Sequence, residues 1–188
     1  MLGTYTYNKI IRKCVIGFGT LFNNIEVRKE KADGSVYSRM KVPLAYAPKR
    51  KFLDRIRETP DLDVNTKVAV KLPRMSFEII SIQYDATRQL QKTNTFQQNA
   101  TATATANSFR NKFYTFVPYN VGFQLSIYAK TQDDCLQIVE QILPTFNPQY
   151  TLTIKPFGSE FPQVKEDIPI ALTGVDFADD YESPMEQR

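Results

Sequence analysis

DDCLQIVEQILPTF, Asp133 to Phe146, is the stretch on which the fold of this chain turns. Leu136, Val139, Ile142, Leu143 and Phe146 recur at steps of three and four, which on a helix gathers them into one apolar stripe with Glu140 and Gln141 off it. Thr131 stands three residues before Asp134, as in a capping box. The carboxylates of Asp133 and Asp134 suit the positive end of the helix dipole. Pro144 has no N–H and disfavours helical geometry in Leu143, so the helix is expected to stop or kink there. Strand-like runs precede and follow it, which places one amphipathic helix across a sheet.

Upstream of that helix, Phe113 to Lys130 reads as a long strand region, with Pro118 and Gly122 marking a bend or bulge. Val121, Phe123, Leu125 and Ile127 alternate with Gly122, Gln124, Ser126 and Tyr128, so one face is expected to be buried. Met75 to Tyr84, MSFEIISIQY, is the clearest strand, dense in β-branched and aromatic residues. Between these two strands, residues 88–110 are polar and contain the run ATATATA, Ala100 to Ala106. Nothing there builds a core, but alternating threonine is compatible with a strand. The segment reads as a hairpin arm or loop that meets a neighbouring subunit when ordered.

The first third of the chain predicts a helix, a hairpin and a second helix. Tyr5 to Phe22 keeps the helical period through Ile11, Cys14, Val15, Phe18, Leu21 and Phe22. Gly17 and Gly19 weaken that helix and suit a close approach to another element. Gly17-Phe18-Gly19-Thr20 is not a phosphate loop, since no strand precedes it and neither the dinucleotide nor the P-loop spacing is complete. Ile25 to Lys31 and Val36 to Tyr46 flank Asp33-Gly34, a strong hairpin turn, with Pro43 marking an edge or bulge. Lys49 to Thr59, KRKFLDRIRET, is a short basic helix that ends before Pro60. Downstream of Phe146, Tyr150 to Lys155 and Ile168 to Val175 read as the last strands. Strands do not alternate with crossover helices. The fold class expected is therefore α+β, a mainly antiparallel β-sheet with helices packed on one face, plus a long hairpin-like arm. The expected organisation is a single domain over 1–175, with 88–110 as the arm and 176–188 as an acidic C-terminal segment.

Composition narrows the function. There is no histidine, which removes the commonest general base and the commonest transition-metal ligand together. No cofactor or metal is expected. Adjacent Asp133 and Asp134 diverge by about 100° on a helix and make a poor catalytic pair. Asp179 with Asp180 offers too few oxygens for a hard cation. Cys14 and Cys135 read as two buried free thiols in a reducing compartment. No membrane contact is expected, for want of a sufficiently long apolar run, and the N-terminus lacks the layout of a signal peptide.

Charge is polarised along the chain. Residues 1–57 carry thirteen Lys/Arg against four Asp/Glu, residues 58–130 eight against five, and residues 131–188 three against eleven. A basic front and an acidic back can bind a second copy of the chain or neutralise each other within one fold. The candidate subunit or partner interface pairs Lys49, Arg50, Lys51, Arg55 and Arg57 with Asp176, Asp179, Asp180 and Glu182. An alternative use of the basic front is as a basic nucleic-acid-binding or connector module. No aromatic residues interleave with Lys49-Arg50-Lys51 to stack on bases, so DNA is expected only as a passing, non-specific contact.

Several segments in order carry a family resemblance. QLSIYAKTQDDCLQIVEQILPTFNPQY, Gln124 to Tyr150, resembles the tail sheath stabiliser family of contractile-tailed bacteriophages, the tail completion or terminator proteins, in its strand, acidic pair, IVEQILP helix and F-x-P exit. GTYTYNKIIRKCVIGFGTLFNNIEVRKE, RMKVPLAYAPKRKFLDRI, KLPRMSFEIISIQYDATR and DIPIALTGVDFADDYE are similar to further family segments, and together they cover most of residues 1–182. The polar arm has no such match, and the family pattern continues past the step that holds Arg188 into a further strand and a proline-rich tail. The resemblance implies a homo-hexameric ring in the virion, at the tail–neck junction, assembled in the host bacterial cytoplasm. Its implied partners are the tail sheath protein, the tail tube or tube terminator protein, and neck proteins. The implied chemistry is binding only.

Overall fold

In the computed structural model, residues 7–58, 72–91, 93–99, 110–157 and 164–178 are described, and for residues 52, 55–58, 96–99 and 110–113 the backbone alone. The elements run α1 (Ile10–Leu21), β1 (Glu26–Glu30), β2 (Val36–Lys41), β3 (Leu44–Tyr46), α2 (Lys49–Glu58), β4 (Arg74–Tyr84), β5 (Thr95–Asn99), β6 (Arg110–Tyr114), β7 (Tyr119–Tyr128), α3 (Gln132–Ile142), β8 (Gln149–Ile154) and β9 (Glu166–Ala171). The class is α+β, as expected. The expected single sheet is replaced, among the described residues, by a three-stranded sheet of order β3-β4-β7 and by the pairs β1-β2, β5-β6 and β8-β9. Those three pairs are antiparallel.

Proline explains much of the subdivision. The expected strand Val36 to Tyr46 breaks at Val42-Pro43, and its halves, β2 and β3, join different sheets. Pro43 has no N–H to give a ladder, so pairing stops there. The expected strand Phe113 to Lys130 divides around Pro118 into β6 and β7. β5 and β6 pair from Thr95 opposite Tyr114 to Asn99 opposite Arg110, which makes the expected arm a hairpin in its described part. The ATATATA run lies outside the described residues.

The chain falls into two compact units. One comprises residues 1–44, 71–74 and 128–188, with α1, the β1-β2 hairpin, α3 and the β8-β9 pair. Its core holds Phe18, Phe22, Ile25, Val27, Val42, Ile138, Val139, Ile142 and Ile154. Phe18 meets Phe22 edge-to-face at 4.9 Å, and Phe22 stacks on Phe146 at 6.2 Å. α1 begins at Ile10, later than its periodicity suggested, because Lys9 is left-handed at φ 57° and closes the N-terminal end of the helix. Lys13 Nζ donates to the carbonyl oxygens of Lys155 (2.9 Å) and Pro156 (2.5 Å), tying the helix to the end of β8. Gly17 makes room for this approach, since a Cβ there would lie 2.6 Å from Leu152 Cδ2 and the leucine side chain would have to shift. Gly17→Val is expected to destabilise by about 1–3 kcal/mol through overpacking, measured as a lower denaturant midpoint at unchanged m. An unchanged midpoint would mean α1 and β8 do not pack this closely.

The other unit comprises residues 45–70 and 75–127 and is organised on β4. Met75 and Phe77 are buried, and Tyr46 packs edge-on against Phe77 at 5.3 Å. Gly122 on β7 allows a close approach to β4, since a Cβ there would lie 2.5 Å from Ser81 Oγ. The expected alternation along β7 is only partly present. Val121, Phe123, Leu125 and Ile127 are half-buried, whereas Tyr128, assigned to the open face, is buried.

Candidate functional site

α3 starts as its sequence predicts. Thr131 is extended and its side chain accepts from the Asp134 N–H, 3.4 Å away. Asp133 Oδ2 accepts from Gln137 Nε2 at 3.0 Å, so the acidic pair serves the helix start. The helix ends at Ile142 and passes through Pro144 into a 3-10 turn, Leu143–Thr145. The buried arc differs from the expected stripe. Ile138 is fully buried, with Val139 and Ile142 beside it, whereas Leu136 and Leu143 are 40% and 42% exposed.

The displacement has a cause that hydropathy does not register. α3 lies against β1 through its glutamines. Gln141 Oε1 accepts from the Glu26 N–H (3.4 Å), and Gln141 Nε2 donates to the Glu26 carbonyl (2.8 Å). Gln137 Oε1 accepts from the Arg28 N–H (3.2 Å). Two side-chain amides thus stand where a neighbouring strand would pair, and they close the outer edge of β1. The helix is turned toward its glutamine flank, which buries Ile138 and leaves the leucine flank outside. Asn24, Glu26, Arg28, Gln137, Glu140 and Gln141 line an open groove of about 520 Å³. The bonds just described already engage the amides of Gln137 and Gln141.

Lys49, Arg50 and Lys51 form the first turn of α2 and are exposed. Three cations at the positive end of a helix oppose its dipole. The compensation comes from β4, whose Glu78 carboxylate accepts from the Lys49 N–H at 3.1 Å. Sequence reasoning missed Glu78, because only the tertiary fold brings that strand to the helix start. Arg55 and Arg57 lie on α2, but their side chains are outside the described residues. Of the expected acidic partners, Asp176 is exposed in the other unit, outside any helix or strand, and Asp179, Asp180 and Glu182 lie outside the described residues.

Two exposed apolar features accompany these charges. Ile80, Ile82 and Tyr84 on β4 are 61%, 50% and 47% exposed, and Tyr84 meets Tyr119 of β7 edge-on at 5.8 Å. Beyond β9, residues 172–178 leave as exposed chain without regular secondary structure that bears Leu172, Val175 and Phe177. β9 therefore begins and ends earlier than the expected Ile168 to Val175.

The turn after β4 is tightly bonded. Asp85 Oδ1 accepts from the Thr87 hydroxyl (2.6 Å) and N–H (3.0 Å), and Oδ2 accepts from Arg88 Nε (2.6 Å). Arg88 also donates to Asn120 Oδ1 on β7 (2.5 Å). The Thr87 hydroxyl first, and then Arg88, hold the Asp85 carboxyl well below the usual carboxylate range. A folded-state value depressed in this way contributes stability above the unfolded value of about 3.9. That stability is lost as pH falls toward the folded value. Carboxyl titration by NMR should find Asp85 protonating well below the usual carboxylate range, and a midpoint near 4 would contradict the bonded turn. Cys14 and Cys135 carry half-buried thiols, and burial, with Glu166 adding to it, pushes the Cys14 thiol upward. Among the described residues no cluster of Cys, Asp and Glu has the makings of a metal site, and no helix is long and apolar enough to cross a membrane.

Comparison with known proteins agrees with the segments singled out above. The chain is 32% identical over 172 residues to the tail completion protein gp15 of Enterobacteria phage T4, an alignment covering 89% of this chain and 60% of that protein. The chain thus spans about three-fifths of the length of that relative. The model of the T4-like virus Myoviridae tail sheath stabiliser family matches residues 5–188. With nearly the whole sequence matched, from α1 through the acidic segment, this chain belongs to the T4-like Myoviridae tail sheath stabiliser family.

Proposed function

We propose that this protein completes the tail of a contractile-tailed phage as a structural ring component of the virion. It binds the terminal ring of sheath subunits at the neck end, stabilises the extended sheath and joins tail to neck. The family match over residues 5–188 carries this reading. A homo-hexamer is the assembly expected, with the sheath protein, the tube or its terminator, and neck proteins as further partners. It catalyses no reaction, and DNA passes it without specific contact.

A ring of head-to-tail contacts has heterologous interfaces, so each subunit needs two different complementary faces. The exposed first turn of α2 supplies cations, Lys49, Arg50 and Lys51, with Arg55 and Arg57 further along that helix. The segment with Asp176, Asp179, Asp180 and Glu182 supplies anions. In this proposal the two meet across subunits and set register. Light scattering of the purified chain, alone and with extended sheath, tests the assembly. A closed ring that caps sheath is the expected result, and a chain that stays monomeric in both settings overturns it.

A further inference from the structure

Strand β4 loses the cover on one of its two sides along its length. Alternate residues of a strand face opposite sides. At its start both sides are covered, with Met75, Ser76 and Phe77 all buried. Further on, Ser81 is half-buried on one side while Ile80, Ile82 and Tyr84 stand exposed on the other. Solvent would select the opposite arrangement, and contiguous exposed apolar residues of this kind mark an interaction surface. Glu78 belongs to the same alternating set, and its carboxylate holds the α2 N-terminus through the Lys49 N–H. The apolar row therefore begins where the exposed cations Lys49, Arg50 and Lys51 begin.

The chain itself carries a segment of the matching chemistry. Residues 172–178, LTGVDFA, are exposed throughout and make no hydrogen bond to any described residue. They present Leu172, Val175 and Phe177 beside Asp176, and the sequence continues with Asp179, Asp180 and Glu182. Val175 and Phe177 are two residues apart, and if the segment binds as a strand they take the spacing of about 7 Å that separates Ile80 and Ile82 on β4. A basic–apolar row on one unit thus has, in an acidic–apolar segment of the other, a complement in charge and apolar spacing, and both are exposed.

We infer that residues 172–178 of one copy of this chain dock on the Ile80–Ile82–Tyr84 face of a second copy. Val175 and Phe177 then lie on the isoleucines, and Asp176 between them lies toward the first turn of α2. This rests on the proposed ring and gives its heterologous contact an apolar centre. A buried aromatic anchor among such groups carries much of an interface's affinity.

The test uses the full chain with Cys14→Ser and Cys135→Ser, in which Ile82→Cys and Phe177→Cys are made separately and mixed. Mild oxidation should then link one variant to the other, with far less linking in either alone. Light scattering of the same samples, before oxidation, reports whether rings form. Because Cys14→Ser perturbs a half-buried site, Phe177→Ala with native cysteines supplies a second measurement, expected to weaken self-association about tenfold. Rings that form without the cross-link, or with Phe177→Ala of unchanged affinity, overturn the docking and leave the ring standing. The same holds for a chain carrying both new cysteines that links only within itself, or a β4 face shielded only after sheath is added. A chain that never associates overturns the ring and the docking together.

Discussion

Ile138→Ala is expected to cost about 2–5 kcal/mol, a large part of the stability of a domain this size. Ile138 is fully exposure-free at the centre of the buried arc of α3, in the unit that also buries Phe18, Phe22, Val27 and Ile154. Truncation removes three carbons' worth of transfer free energy and leaves a cavity whose lining is held by helix and hairpin, so it collapses poorly. Leu143→Ala is the control, because Leu143 follows the helix on its exposed flank and should lose less than half as much. Ile138→Val should fall between them at about 0.5–1.5 kcal/mol. Urea or thermal unfolding of the three variants decides the matter. Equal losses at Ile138 and Leu143 would restore the stripe expected from hydropathy alone and discard the buried arc described here.

Reversing Arg55 and Arg57 to Glu is expected to dissolve the proposed ring at low ionic strength. An exposed ion pair contributes only about 0–1 kcal/mol. Reversal, however, replaces attraction with repulsion at every interface of a closed ring. Raising the salt should partly restore assembly, since the Debye length falls from about 10 Å at 0.1 M to about 3 Å at 1 M. Reversing Asp179 and Asp180 to Lys in the same chain should restore it further at low salt. This outcome concerns register and partner choice, with the apolar contacts supplying the bulk of the affinity. A double reversal that restores nothing would show that these charges do not pair across subunits, while the ring could still be held by other surfaces. Sedimentation or light scattering at two salt concentrations reads all of these outcomes.

Much of this protein was legible in local chemistry. The Thr131 cap, the stop at Pro144 and the Asp33-Gly34 turn all formed as read, and in that turn Gly34 is left-handed at φ 81° while Asp33 accepts from Ser35. Each is set by the dihedral limits and donors of a few adjacent residues, so no distant partner is needed to decide it. The family, too, was carried by short segments in order, and the comparison that establishes it rests on the same residues.

Tertiary structure decided where the elements went. Pro43 announced a break, but not that β2 would stay with β1 while β3 joined β4 and β7. Nothing in the polarity of Gln137 and Gln141 indicated that they would close the edge of β1, yet that choice determined which face of α3 is buried. Glu78 looked like an ordinary strand carboxylate until the start of α2 was brought to it. Periodicity measures how apolar residues are spaced along one element, whereas burial depends on what lies against that element. A long-range hydrogen bond to a backbone edge, or a carboxylate offered to a helix terminus, can turn an amphipathic helix by a fraction of its circumference without altering its sequence pattern.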